Sequence, residues 1–174
     1  MFPSTIALDT SFVVEALIET QRLHGPCRDF LERLAESGPT VVTSELLRVE
    51  VAEAAFAIAL KERWGRDWRR HRSDGRARRK ARRLLESVDA RLGTILKALD
   101  HVSVPLAAVV DAAEGVMGDY GLASYDAIHA ASAIAAGAEA IVTKDTDFAR
   151  LPAALLTVYT DRSRVASCRG KRPR

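Results

Sequence analysis

Short β-branched runs alternate with longer stretches of helical periodicity along most of the chain. That alternation restricts the possible folds more than any other feature. Thr5-Ile6-Ala7-Leu8 reads as a buried strand that stops at Asp9. Thr40-Val41-Val42-Thr43, Val102-Ser103-Val104, Ala140-Ile141-Val142-Thr143 and Leu155-Leu156-Thr157-Val158 are further runs of the same type. Between them, helices are expected over residues 11–18, 26–36, 81–99, 106–117 and 124–136, and from a Ser44 cap through Ile58. Gly38-Pro39, Gly118, Gly121 and Gly137 supply the stops. Strands separated by helices imply an α/β fold with a central five-stranded, mainly parallel sheet and helices on both faces. In such sheets ligands sit beyond the carboxyl ends of the strands, where the connections diverge.

Acids occupy those places. Asp9 follows the first strand directly, and Asp145 and Asp147 follow the fourth in Val142-Thr143-Lys144-Asp145-Thr146-Asp147-Phe148. Each of them can also be read as a helix N-cap. Leu47, Val51, Ala54, Ala55 and Ile58 form an apolar stripe, and Glu50 lies on its margin. Glu45 and Glu53 lie farther round, towards solvent. A carboxylate on the margin of a buried face needs a partner or a route to water. Residues 127–138 carry no formal charge and form a helix expected to be buried, with Asp126 and His129 in its first two turns. Asp126 suits the positive end of the helix dipole. His129 reads first as a satisfied core histidine. Taken together, these acids at one sheet edge repel one another, and only Lys144 and Arg48 stand nearby in sequence. A hard divalent cation such as Mg²⁺ relieves that repulsion through oxygen ligands. It can also activate a water and clamp a phosphodiester. No Cys/His cluster with zinc spacing exists.

Charge is segregated. Residues 61–83 hold 12 Lys/Arg against 3 Asp/Glu, and residues 161–174 hold 6 against 1. The remainder of the chain holds 8 basic and 19 acidic residues, so an acidic body carries a basic arm and a basic tail. This pattern suits a polyanion held at the edges and a cation held in the middle. Within the arm, Trp64, Arg66, Trp68, Arg69, Arg70 and Arg72 are candidates for RNA binding, with bases stacked on the tryptophans and phosphates held by the cations. An equal reading has the tryptophans packing on a neighbour or a dimer mate. Gly65 and Ser73-Asp74-Gly75 break the helical pattern, so the arm is expected to order only on binding.

The chain's 174 residues suit one domain, here 1–160 with the arm inserted at 61–83, followed by the tail at 161–174. With 48% hydrophobic and 28% charged residues, it is neither disordered nor collagen-like. Cys27 and Cys168 are expected to be reduced thiols of a cytoplasmic protein. No apolar run reaches the roughly 18 residues of a membrane span. Met1-Phe2-Pro3-Ser4 has no basic n-region, so no signal peptide is expected.

Four segments in order resemble those of a PIN domain, above all the toxin nuclease of a VapBC-type toxin–antitoxin pair. They are Ile6-Ala7-Leu8-Asp9-Thr10-Ser11, Thr43-Ser44 with Glu50 six residues after the serine, Asp126-Ala127-Ile128-His129-Ala130-Ala131, and residues 142–148. The resemblance implies a PIN-like fold and Mg²⁺- or Mn²⁺-dependent cleavage of structured RNA, tRNA or ribosomal RNA. It places the catalytic acids on Asp9, Glu50, Asp126 and Asp145, and the metal on Asp9, Asp126, Asp145 and Asp147. Glu50 would orient the attacking water. A small polar residue beside the metal falls on Thr143 or Thr10. The implied partners are a small antitoxin that blocks the site and a second copy in a homodimer, with no membrane. The long basic segment 61–83 departs from compact members, so substrate choice does not transfer directly.

Alternatives remain at this stage. A catalytically silent RNA-binding module or a housekeeping RNA-processing nuclease would have the same fold. A receiver domain would need an acidic pair at the first strand, but Asp9 stands alone there. An aspartate-nucleophile phosphatase would need an Asp at position 11, which is Ser11.

Overall fold

The computed structural model describes residues 2–159, so the basic tail and Cys168 lie outside the described residues. Five strands pair in one sheet: β1 (Thr5–Leu8), β2 (Thr40–Ser44), β3 (Asp100–Val104), β4 (Ala140–Val142) and β5 (Thr157–Tyr159). Their order is β3-β2-β1-β4-β5, and every pairing is parallel. Six α-helices cover the sheet: α1 (Thr10–Leu17), α2 (His24–Ser37), α3 (Leu47–Trp64), α4 (Gly75–Ala98), α5 (Val110–Tyr120) and α6 (Ser124–Ala135).

Strand alternation divides the core in two. Ile6, Leu8, Val41 and Val142 face α1, α2, α3 and α4, where Phe12 and Phe30 meet edge to face with centroids 5.3 Å apart. Ala7, Val42 and Ile141 face α5 and α6. β1 lies between β2 and β4, so the connections diverge at the β1/β4 boundary. This is the switch point at which open α/β sheets bind ligands. The register pairs Leu8 with Val142, and the Asp9 N–H continues the ladder to the Val142 carbonyl at 3.0 Å. Asp9 therefore stands at the middle of the carboxyl edge.

Several boundaries differ from the sequence expectation. Ser44 does not cap α3. It is the last residue of β2, paired with Val104, and α3 begins at Leu47. β3 reaches back to Asp100, whose carboxylate accepts from Thr40 Oγ1 at 2.7 Å. β5 begins two residues late because the Leu155 and Leu156 N–H groups turn back onto the Pro152 carbonyl. Leu106–Ala108 is a separate 3-10 turn before α5. Ser124 opens α6 without capping it.

The basic arm is folded, which corrects the expectation that it orders only on binding. A 3-10 helix (Gly65–His71) joins α3 to α4, and α4 starts at Gly75 rather than Ala81. The Ser73-Asp74-Gly75 break is real, but Asp74 uses it to cap α4, accepting from the Ala77 N–H at 2.7 Å. Leu60, Trp68 and Ala77 form a small core of their own, with Phe56, Ala57 and Trp64 packed against it. Trp64 stacks on His71 at 3.7 Å. Lys61, Arg69 and Arg72 lie over the Trp68 ring at 5.6, 5.0 and 5.7 Å. The tryptophans thus hold the arm together, and Trp68 is too buried to stack on a base. Among the described residues no helix is long and apolar enough to cross a membrane.

Candidate active site

Asp9 caps α1 and is 3% exposed. One of its oxygens is fully engaged. Oδ2 accepts from the Ser11 N–H at 3.1 Å, Ser11 Oγ at 2.5 Å and Thr143 Oγ1 at 2.8 Å. Oδ1 faces His129 Nε2 at 3.8 Å. Thr143 and Ser11 also bind the loop after β4. Thr143 Oγ1 accepts from the Asp145 N–H at 2.9 Å, and Ser11 Oγ accepts from the Lys144 N–H at 2.8 Å. Asp145 in turn caps a 3-10 helix (Thr146–Arg150), accepting from the Asp147 N–H at 2.8 Å. The cap reading therefore holds for Asp9 and Asp145 but not for Asp147, which lies in the first turn that Asp145 caps, and capping is what fixes Asp9 and Asp145 at the sheet edge.

Asp126, in the first turn of α6, shows that the acids share one field. Its pKa rises from 3.8 to about 6, through burial first, then the negative charges of Asp145 and Asp9, with Glu50 adding a smaller push. The nearby His129 opposes this rise. Asp9, Glu50, Asp126 and Asp145 are thus brought together. Asp147 is not drawn in with them: its carboxylate pairs outward with Arg150 Nη2 at 3.0 Å.

Glu50 enters from the first turn of α3 and is held by two groups. Its Oε2 accepts from Thr10 Oγ1 at 2.7 Å and makes a close contact with His129 Nε2. The other imidazole nitrogen, Nδ1, meets Ser44 Oγ at 3.0 Å. Burial would raise the Glu50 pKa, but the hydrogen bond and charge of His129, with Thr10, carry it below the ordinary value. Burial would likewise strip the His129 proton. The hydrogen bond to Glu50 and the charges of Asp9, Glu50 and Asp126 reverse that and raise its pKa. The two form a charge pair at the side of the acidic pocket, His129 buried and Glu50 half-buried.

Sequence reasoning places His129 correctly in the core but misses that Glu50 is its partner. The available signal is spacing: His129 follows Asp126 by three residues, so both lie on one helix face. Lys144 and Arg48 are the basic residues that stand near the acids in sequence, but not beside them in space. Lys144 instead pairs with the buried Glu15, and Arg48 pairs with Asp89 at 2.5 Å. Neither of them offsets the pocket's charge. The donors that remain are carboxylate oxygens, which is the chemistry of a hard divalent cation. Among the described residues, no group of three or more His, Cys, Asp or Glu is already drawn together tightly enough to hold a metal ion. Mg²⁺ does not require such a cage, because it keeps several waters and takes only one or two carboxylates directly.

A protein-family model described as PIN domain matches residues 6–154. No curated protein matches the chain. Among solved structures, the fold is similar to Mycobacterium tuberculosis VapC20, described as a sarcin-ricin-loop-cleaving toxin. The TM-score is 0.52 at 21% identity, covering 83% of this chain and 92% of that one.

Proposed function

The chain belongs to the PIN domain family, and from that premise we propose that it is a Mg²⁺- or Mn²⁺-dependent endoribonuclease. Residues 1–160 form its nuclease domain in this reading. The substrate is structured RNA, tRNA or ribosomal RNA, a class supported by the fold shared with a toxin described as cleaving the sarcin-ricin loop. The chain is read as the toxin of a toxin–antitoxin pair, with a small antitoxin and a second copy of itself as partners.

Asp9, Asp126 and Asp145 would hold the cation, directly or through waters, with Asp147 at the rim. When bound, such a cation lowers the pKa of water and offsets charge on the phosphate. Glu50, kept ionised by His129 and Thr10, orients the water that attacks phosphorus as the 3′ oxygen leaves. His129 acts through Glu50 and is a positioning residue. Ser11 and Thr143 hold Asp9 and the Asp145 loop in place. The observation that carries this reading is the placement of Asp9 and Asp145 at the switch point, tied together through Thr143 and Ser11, with Asp126 close enough to feel both charges. Four carboxylates are gathered at the switch point, Lys144 and Arg48 pair with other acids, and His129 is engaged with Glu50 at the side of the pocket. Crowding of that kind is costly unless a cation is part of the working state.

The test is to incubate the purified chain with tRNA and ribosomal RNA in Mg²⁺, Mn²⁺ or EDTA. Cleavage is expected with either cation, loss of cleavage in EDTA, and recovery when the cation is restored. Cleavage indifferent to EDTA would contradict the mechanism. Mn²⁺ binding without cleavage of either RNA would favour a silent binding module instead.

A further inference from the structure

The charge on the arm is arranged rather than merely abundant. α4 buries Ala77, Ala81, Val88 and Leu92 against the rest of the fold. At about 100° per residue, Arg76, Arg79 and Arg83 fall on the opposite side, with Arg82 beside them. All are exposed. Arg82 pairs with Glu86 on its own helix, whereas Arg76, Arg79 and Arg83 make no ion pair among the described residues. The ion pairs Arg48–Asp89 and Lys80–Glu62 set α4 antiparallel to α3. With about 1.5 Å of rise per residue, this ridge therefore runs from about 10 to 20 Å beyond the level of Glu50.

We infer that the outward ridge of α4, Arg76-Arg79-Arg83, is a second docking surface, which holds the phosphates of a folded RNA while another part of that RNA sits at the carboxylates. The inference deepens the nuclease reading and rests on it for the identity of the polyanion. Two observations favour RNA over an acidic protein. The large apolar side chains exposed among the described residues lie on other elements, so the ridge has no apolar core for a protein interface. A nucleic-acid interface needs none, since it is mainly polar and positively charged. The ridge is also presented ready-formed, because the Leu60–Trp68–Ala77 core and the Asp74 cap hold the start of α4. Little ordering cost then attaches to binding. The surface sets a size requirement: an RNA too short to reach both places gains nothing from it.

The experiment measures binding of a labelled RNA stem-loop in EDTA, which separates binding from cleavage, and then kinetics in Mg²⁺. R76Q/R79Q/R83Q is expected to bind the stem-loop at least about tenfold more weakly. The slope of log K against log salt should fall by about 2–3, or about one for each phosphate that the ridge no longer neutralises. In Mg²⁺, KM for the stem-loop should rise at unchanged kcat, while cleavage of a tetranucleotide stays as in the wild type. R79Q alone, with a slope change of about one, keeps the test readable should the triple variant fail to fold. Unchanged affinity and slope overturn the inference. So does wild-type binding to polyglutamate that exceeds RNA binding and is lost in the variant, which would assign the ridge to an acidic protein. Loss of ridge-dependent binding without cleavage of any RNA would sink the nuclease reading and leave the surface standing.

Discussion

Asp9→Asn folds, and its RNA cleavage falls at least about a hundredfold. The asymmetry of the Asp9 carboxylate explains why both statements hold. Oδ2 receives three donors, from the Ser11 backbone, the Ser11 hydroxyl and Thr143, and an asparagine carbonyl can receive the same three. Asparagine is also as good an N-cap as aspartate, so α1 keeps its start. The other oxygen faces His129 and the pocket. In the variant that position becomes an NH₂ group, which cannot ligate a cation and removes one negative charge from the cluster. Cation-dependent charge stabilisation is worth several kcal/mol at a phosphoryl centre, and each 1.36 kcal/mol is about tenfold in rate. The check is the cleavage rate in Mg²⁺ beside a denaturation curve. Wild-type turnover in a folded Asp9→Asn protein would remove Asp9 from the mechanism.

Glu15→Ala is expected to destabilise the fold by about 2–4 kcal/mol, measured by urea denaturation. Glu15 sits in the apolar run Phe12-Val13-Val14-Glu15-Ala16-Leu17 and is 2% exposed. Its Oε2 accepts from the Leu23 N–H at 2.6 Å, which ties down the loop between α1 and α2. Its Oε1 pairs with Lys144 Nζ, in the loop that carries Asp145. Removing the carboxylate leaves the Leu23 N–H and Lys144 without that partner. Lys144 keeps 36% of its side chain in solvent, so the cost falls short of that for a fully buried pair. Glu15→Gln retains an acceptor for Leu23 and loses only the charge, so its cost should be clearly smaller. Equal losses for Ala and Gln would mean that the Leu23 hydrogen bond contributes nothing.

Glu15 also marks where sequence reading runs out. Its run gives a helix and a core face, but nothing local announces that a charge in that face is paired 129 residues away. The sheet is legible because β-branched runs and stop residues are local signals, and the acids after strands are legible because the fold class says where to look. Ser44 misleads for a related reason. A serine before a helical stripe is a good cap by local chemistry, but pairing with Val104 and the bond to His129 outweigh capping. In the arm, glycine and an Asp-Gly break suggest disorder. The three-residue core around Trp68 depends on side chains meeting across α3, the 3-10 helix and α4, which periodicity along one helix does not show. Glu50 stands out from its angle on α3, whereas the histidine that holds it is visible only once α6 is placed beside β2.

The decisive comparison is the stability of wild type and Asp126→Asn, each in EDTA and in saturating Mn²⁺. The folded-state pKa of Asp126 lies above its ordinary 3.8, at about 6. Its contribution to stability is therefore intact below pH ~4 and is lost as pH rises through ~6. At pH 8 in EDTA the wild type bears that penalty and Asp126→Asn does not. The variant should be more stable by about 1–2 kcal/mol, after discounting the shift for solvent screening. Mn²⁺ should reverse the order, because a ligand stabilises by RT ln(1 + [L]/Kd) and the variant has lost a carboxylate for it. A variant no more stable than wild type in EDTA, or an equal response of both proteins to Mn²⁺, would contradict a shared cation pocket at the edge of this sheet.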